Sequence, residues 1–201
     1  MKPYFMRIIF NNKEFTPMKQ QTSSILSTTQ LTLTALMTAL LCVISPFSLP
    51  IPFSPVPISF STFILYVAAY VLGPKFGSIS CLLYLLLGFV GLPVFSGFSG
   101  GIGRLLGPTG GYLIGYIFLI LIAGFMIEIS EGKKLISVIG MVAGTAITYI
   151  FGTVWLSLQM NLTFVEGLAM GVLPYLLGDM VKIIAALIIG PILKSRLKRI
   201  R

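Results

Sequence analysis

The stretch GYLIGYIFLILIAGFMIEI, Gly111 to Ile129, decides the fold. Its one charged residue, Glu128, stands next to its end. An α-helix rises about 1.5 Å per residue and the hydrocarbon core of a bilayer is about 30 Å thick, so a run of this length can cross it. Working outward, similar runs lie at Ser27 to Ser45, Pro57 to Leu72, Phe76 to Val90, Lys134 to Asn161 and Gly171 to Leu193. The whole chain agrees: 56% of its 201 residues are hydrophobic and 9% are charged, against about 25% charged in a soluble domain. So few charges cannot cover a water-facing surface, which excludes an ordinary soluble enzyme and a disordered chain. The expectation is an all-α, polytopic membrane protein with six transmembrane helices.

The breaks between runs are chemically distinct. Pro46, Pro50, Pro52, Pro55 and Pro57 exclude a regular helix there, because each proline removes a donor and restricts the residue before it. An ordered or re-entrant loop is expected. Gly73-Pro74 ends the second run, and Gly91 with Pro93 ends the third. FSGFSGGIGRLLGPTGG, Phe95 to Gly111, is too long and glycine-rich for a tight hairpin and carries Arg104.

Charge sets the expected orientation. With the N-terminus in the cytoplasm, Lys2, Arg7, Lys13, Lys19, Lys75, Lys133, Lys134, Lys194, Arg196, Lys198, Arg199 and Arg201 all fall inside. An even number of spans then leaves both termini cytoplasmic and only Arg104 and Lys182 unexplained. Residues 1–26 read as a basic arm at the membrane surface, 27–193 as the membrane domain and 194–201 as a basic cytoplasmic tail. The net charge of +9 is no nucleic-acid signature, since the cations sit at the chain ends and in short breaks.

The strongest chemical signal is GVLPYLLGDMVKIIAAL, Gly171 to Leu187, which sets Asp179 and Lys182 inside an apolar helix. Ionisable side chains at membrane depth cost several kcal/mol and so imply function. Their i, i+3 spacing puts them on one face, with Tyr175 on the same stripe and Asp179 about one and a half turns in from the outer end. Arg104, outside, is either a solvated loop cation or an attractor for an anionic solute group. Ala35 and Ala39 form a small-xxx-small pair suited to close helix approach. The chain has no His, CxxC or GxxxxGK[ST], and no nucleophile–base or paired-acid set. No metal, cofactor or catalytic residue is therefore expected, and no ATP hydrolysis by this chain. Cys42 and Cys81 read as buried thiols, and Glu128 and Glu131 beside Lys133 and Lys134 as a solvated turn.

With those residues in place, the chain resembles the BioY family, the substrate-binding S components of energy-coupling-factor (ECF) biotin transporters. The likeness covers about Leu31 to Leu193. It rests on Pro57-Ile58, YVLGPKFG at Tyr70 to Gly77, YLLLGFVGLPVF at Tyr84 to Phe95, LLGPTGGYLIGY at Leu105 to Tyr116 and LPYLLGDMVK at Leu173 to Lys182. The GPTGGY and GDxxK strings, in this order, are the most specific.

The resemblance implies six helices in the cell membrane and an outward-facing vitamin pocket that includes Asp179 and Lys182. It also implies docking through Ala35 and Ala39 on a transmembrane coupling subunit, with two ATP-binding cassette subunits supplying the energy. Ser61 stands where the family often has Gln, and Leu177 where it often has Pro before Gly-Asp. Biotin's ureido ring offers two N–H donors and a carbonyl acceptor, which suit Asp179 and Lys182. Phe95, Tyr112 and Tyr175 could cover its apolar ring, Arg104 could attract its carboxylate, and Ser61, also expected at the site, would lack the amide contact of the family's Gln. The rival readings are an S component for another small vitamin, an intramembrane enzyme and a pure scaffold. The enzyme lacks a reactive set, and a scaffold has no use for a buried Asp–Lys pair.

Overall fold

The computed structural model describes residues 27–198. The basic arm expected at 1–26, and Arg199 and Arg201 of the expected tail, lie outside the described residues. Four helices are long and apolar enough to cross a membrane, and a fifth apolar helix is shorter.

Helix α1, Thr28–Ile44, opens with a capping box: the Ser27 side chain accepts from the Gln30 N–H, and Gln30 reaches back to Ser27. Its buried face carries Leu33, Met37 and Leu41, and Thr38 donates across to Ser80 Oγ at 3.1 Å. Ala35 and Ala39 lie on its exposed face.

The proline-rich break is a two-stranded antiparallel hairpin, β1 (Ser48–Ile51) and β2 (Ser54–Ser59). This departs from an all-α chain. Proline is tolerated because a two-stranded ribbon has only edges, where a missing N–H leaves no ladder position unfilled. Strand β2 also delays the next helix, which starts at Ser61 rather than Pro57.

Helix α2, Ser61–Phe89, is not a single rod. Gly73 has φ 72° and ψ −172°, a combination open mainly to glycine, and Pro74 follows it. As 29 residues of straight helix, α2 would span about 43 Å. Yet Ser59, just before it, bonds the Ser45 carbonyl, and the loop after it, tied to the helix end by Gly101 N–H donating to the Gly88 carbonyl at 2.7 Å, reaches the same place, with Gly97 donating to the Pro46 carbonyl at 2.9 Å. Both ends therefore meet the C-terminal end of α1, and the two halves fold back on each other at Gly73. Close approach at the bend agrees: a Cβ on Gly77 would lie 3.8 Å from the Ala68 carbonyl oxygen.

The loop after α2 carries a short helix, α3 (Ile102–Leu106), and leads into α4 (Gly110–Ile129) and α5 (Lys134–Met160). Helices α4 and α5 pack closely because glycine faces the crossing. A Cβ on Gly115 would sit 2.9 Å from the Thr148 methyl, and Thr148 Oγ1 donates to the Gly115 carbonyl at 3.0 Å. Helix α6 (Phe164–Gly171) and a 3-10 turn at Leu173–Tyr175, neither anticipated, connect α5 to α7 (Leu176–Lys198). Helix α7 continues past Leu193, so the expected tail begins as helix. Of the two cysteines, both free, Cys81 is buried and Cys42 half-buried.

Candidate functional site

Helix α7 begins just after the 3-10 turn that carries Pro174, and Asp179 falls in its first turn. That is closer to the helix end than the sequence spacing suggested, and there the unpaired N–H groups favour a carboxylate. Asp179 Oδ1 accepts from Lys182 Nζ at 2.8 Å, with the two side chains only 9% and 12% exposed. Thr62, in the first turn of α2, accepts from Lys182 Nζ at 3.2 Å and donates to Asp179 Oδ1 at 3.4 Å. Tyr149 of α5 donates its hydroxyl to Asp179 Oδ2. Three helices thus converge on one carboxylate. Asp179 Oδ1 accepts two of these bonds and Oδ2 one, which leaves Oδ2 room to accept one more, while an ammonium has three N–H groups and the described residues take two from Lys182. One donor of Lys182 is left for a ligand.

Beside this pair lies a cavity of about 50 Å³ that Thr62, Tyr112, Tyr116, Tyr149 and Tyr175 also line. A second, of about 30 Å³, shares Tyr112, Tyr116 and Ser59 with it and ends at Phe95, Thr109 and Arg104. The two adjoin along these shared residues and are treated as one cleft, with a compensated ion pair at one end, tyrosine walls between and a cation at the other. Among the described residues the Arg104 side chain has no hydrogen-bond or ion-pair partner. Thr109 Oγ1 is buried beside it and also unpartnered.

Ligand pockets commonly hold about 300–1,000 Å³, so this cleft is small as it stands. The β1–β2 hairpin contributes Val56 and Pro57 to its lining, and the loop after α2 contributes Phe95 and Ser96. Tyr175 fastens the hairpin: its hydroxyl donates to the Val56 carbonyl and lies 2.8 Å from Ser54 Oγ, whose own O–H can donate to it. Tyr112 ties α4 to the end of α6, donating to the Gly171 carbonyl at 3.1 Å.

The expected residues fall into three groups. Asp179, Lys182, Tyr112 and Tyr175 line the inner part of the cleft, and Phe95 and Arg104 the outer part. Phe95 also packs over Gly88, edge-on to Tyr84 with ring centroids 5.4 Å apart. Ser61 lines neither part; it is buried, with its hydroxyl 2.6 Å from that of Ser59, which does line the cleft. Thr62, Tyr149, Tyr116 and Ser59 are brought to the site without having been singled out in the sequence. Asp179 and Lys182 stood out as charges in an apolar run, but a neutral threonine or tyrosine in such a run carries no comparable signal.

Residues 18–199 match the model of the BioY family. A probable biotin transporter BioY of Pyrococcus horikoshii is 38% identical over 161 residues, 80% of this chain and 93% of the relative. A biotin transporter BioY of Thermotoga maritima is 37% identical, over 72% of this chain and 85% of the relative. Among solved structures, the S-component for biotin from an ECF-type ABC transporter superposes with a TM-score of 0.77 at 32% identity, over 83% of this chain and 90% of that one.

Proposed function

This chain belongs to the BioY family, and from that premise we propose that it is the biotin-capturing S component of an ECF transporter in the cell membrane. The observation that carries the reading is the cleft's arrangement of polar groups, which matches biotin in order along its length. The Asp179–Lys182 pair, backed by Thr62 and Tyr149, meets the ureido group: the carboxylate accepts N–H, and the free Lys182 donor reaches the carbonyl oxygen. Tyr112 and Tyr116 flank the apolar ring. Arg104, beside the unpartnered Thr109 hydroxyl, takes the carboxylate tail.

Because the cleft is too small to hold a ligand as it stands, capture requires the hairpin at 48–59 and the loop at 90–109 to move aside and close again. The molecule crosses the membrane six times, through α1, the two halves of α2, α4, α5 and α7, with both termini cytoplasmic. The fold-back at Gly73 and the cation bias support this count. The exposed Ala35–Ala39 face docks on the transmembrane coupling subunit, and ATP is hydrolysed by the two ATP-binding cassette subunits.

The decisive experiment is equilibrium binding of labelled biotin to the purified chain, with other vitamins as competitors. Saturable binding displaced by biotin alone is expected; displacement by a different vitamin at lower concentration overturns the biotin assignment. In a Cys42→Ala/Cys81→Ala background, an impermeant thiol reagent on intact cells should label Ser99→Cys and leave Lys75→Cys unlabelled. With Ala35→Leu/Ala39→Leu, uptake should fall while binding by the isolated chain persists.

A further inference from the structure

A larger cavity lies at the opposite end of the bundle from the vitamin cleft. It measures about 450 Å³, well within the range of ligand pockets. Its walls come from the last turn before the Gly73 bend, the turn between α4 and α5, and the end of α7. These are the chain segments that carry Lys75, Lys133, Lys134 and Lys194, so the cavity opens at the basic end of the protein.

Three hydroxyl-bearing residues, each at least nine-tenths buried, form its floor: Tyr70 at 5% exposed, Ser130 at 2% and Ser137 at 3%. Ser137 Oγ donates to Ser130 Oγ at 3.3 Å, and Ser130 Oγ to the Ile127 carbonyl at 2.8 Å. The rim has two carboxylates, Glu128 and Glu131, and two ammonium groups, Lys134 and Lys194. A polar floor under a charge-balanced rim is unusual beside an apolar bundle. The rim's chain neighbours Ile129, Leu135 and Ile192 are exposed and apolar, at 51%, 72% and 54%. The mouth therefore stands where the apolar surface of the bundle meets its charged end, the depth of lipid headgroups.

We infer that this cavity binds the headgroup of a zwitterionic aminophospholipid, its phosphate toward Lys134 and its primary ammonium toward Glu128 and Glu131. The acyl chains lie on the exposed apolar residues beside the mouth. The balanced rim disfavours a net anionic headgroup, which would meet both carboxylates. It disfavours choline for a different reason: a quaternary ammonium has no N–H to give a carboxylate, and its usual aromatic cage is absent where Tyr70 is the single aromatic in the lining. Primary ammonium with phosphate is also the chemistry of a soluble phosphoethanolamine, and the test separates the two sources.

The full chain is reconstituted in nanodiscs containing equal fractions of phosphatidylethanolamine, phosphatidylcholine and phosphatidylglycerol, then extracted in mild detergent, and the retained lipids are counted by native mass spectrometry. Phosphatidylethanolamine should be retained roughly tenfold over phosphatidylcholine, the fold-change of one charge-assisted hydrogen bond. Glu128→Gln/Glu131→Gln should abolish that preference. Biotin binding, unchanged in the variant, reports that the protein is folded. Equal retention of the three lipids, or a preference that survives in the variant, overturns the inference. So does equal thermal stabilisation by soluble phosphoethanolamine, which makes this a solute site.

Discussion

The two ends of the cleft carry charge in different ways. Asp179 and Lys182 stand 2.8 Å apart, almost wholly buried, with Thr62 and Tyr149 taking up most of what remains of their hydrogen-bonding capacity. Arg104, half-buried in a glycine-rich loop, has no side-chain partner among the described residues. A compensated pair can enter low dielectric without a net charge and offers a ligand oriented dipoles, which suits a neutral group rich in donors and acceptors. An uncompensated cation beside water suits an anion, and it acts at longer range. On the proposed function, the difference means that one small molecule is read twice, by shape and hydrogen bonds inside and by charge outside.

The largest effects should come from breaking the inner pair. Asp179→Asn leaves Lys182 without its counter-charge, and Lys182→Met does the same to Asp179. Losing one partner of a buried hydrogen-bonded charge pair costs about 2–5 kcal/mol, roughly thirty- to several-thousand-fold in affinity. Each single variant should insert and fold yet bind biotin that much more weakly in an equilibrium assay. The double variant sharpens the comparison. With both charges gone, a pair that only fixes helix packing would recover near-normal binding, whereas one that reads the ureido group stays defective. Recovery to within a few-fold would falsify the substrate role of Asp179 and Lys182.

What the sequence made legible follows from which signals are local. Most helices were bounded to within a few residues, because Gly73-Pro74, Gly91 and Pro93 interrupt apolar runs visibly. Asp179 and Lys182 were legible for a similar reason, since charge in such a run stands out. Thr62 lies 117 positions from Asp179 and Tyr149 lies 30, and nothing in either neighbourhood marks a common destination. The 48–59 hairpin was hidden because five prolines exclude a helix without specifying a strand. Ser61 was singled out by family position, yet the turn into α2 gives the cleft its neighbours Ser59 and Thr62 instead.

Tyr149→Phe tests how much of the inner end's organisation is tertiary. It removes a donor to Asp179 Oδ2 and keeps the ring. Hydrogen bonds to charged groups contribute about 1.5–3 kcal/mol, so biotin affinity should fall roughly ten- to a hundredfold, less than for either charge variant. An unchanged dissociation constant would mean that Asp179 is held well enough by Lys182 and Thr62 alone.

Arg104→Gln probes the outer end. A half-exposed cation facing an anion is screened by water, so about 1 kcal/mol, or roughly fivefold, is expected. The sharper readout is chemical. Biotin should weaken and become less sensitive to salt, while biotin amide, which has no carboxylate, should bind both proteins alike. If the amide weakens in parallel, Arg104 contributes shape and not charge, and the contrast between the two ends fails.

The smallest effect on affinity should come from Tyr175→Phe, although it touches the cover of the whole cleft. Tyr175 fastens the hairpin through Ser54 and the Val56 carbonyl. On the proposed reading the hairpin lies over both the empty and the loaded cleft, so the latch stabilises both states and cancels from the dissociation constant. It does not cancel from the barrier, because the hairpin must release these bonds whether biotin enters or leaves. A net hydrogen bond contributes about 0.5–1.5 kcal/mol, so association and dissociation rates should both rise about two- to tenfold while their ratio holds. Stopped-flow binding with a competitor chase reads both rates. A variant that loses affinity with its association rate unchanged would make Tyr175 a contact of the bound vitamin. Unchanged rates in both directions would mean that the hairpin is not the cover that moves.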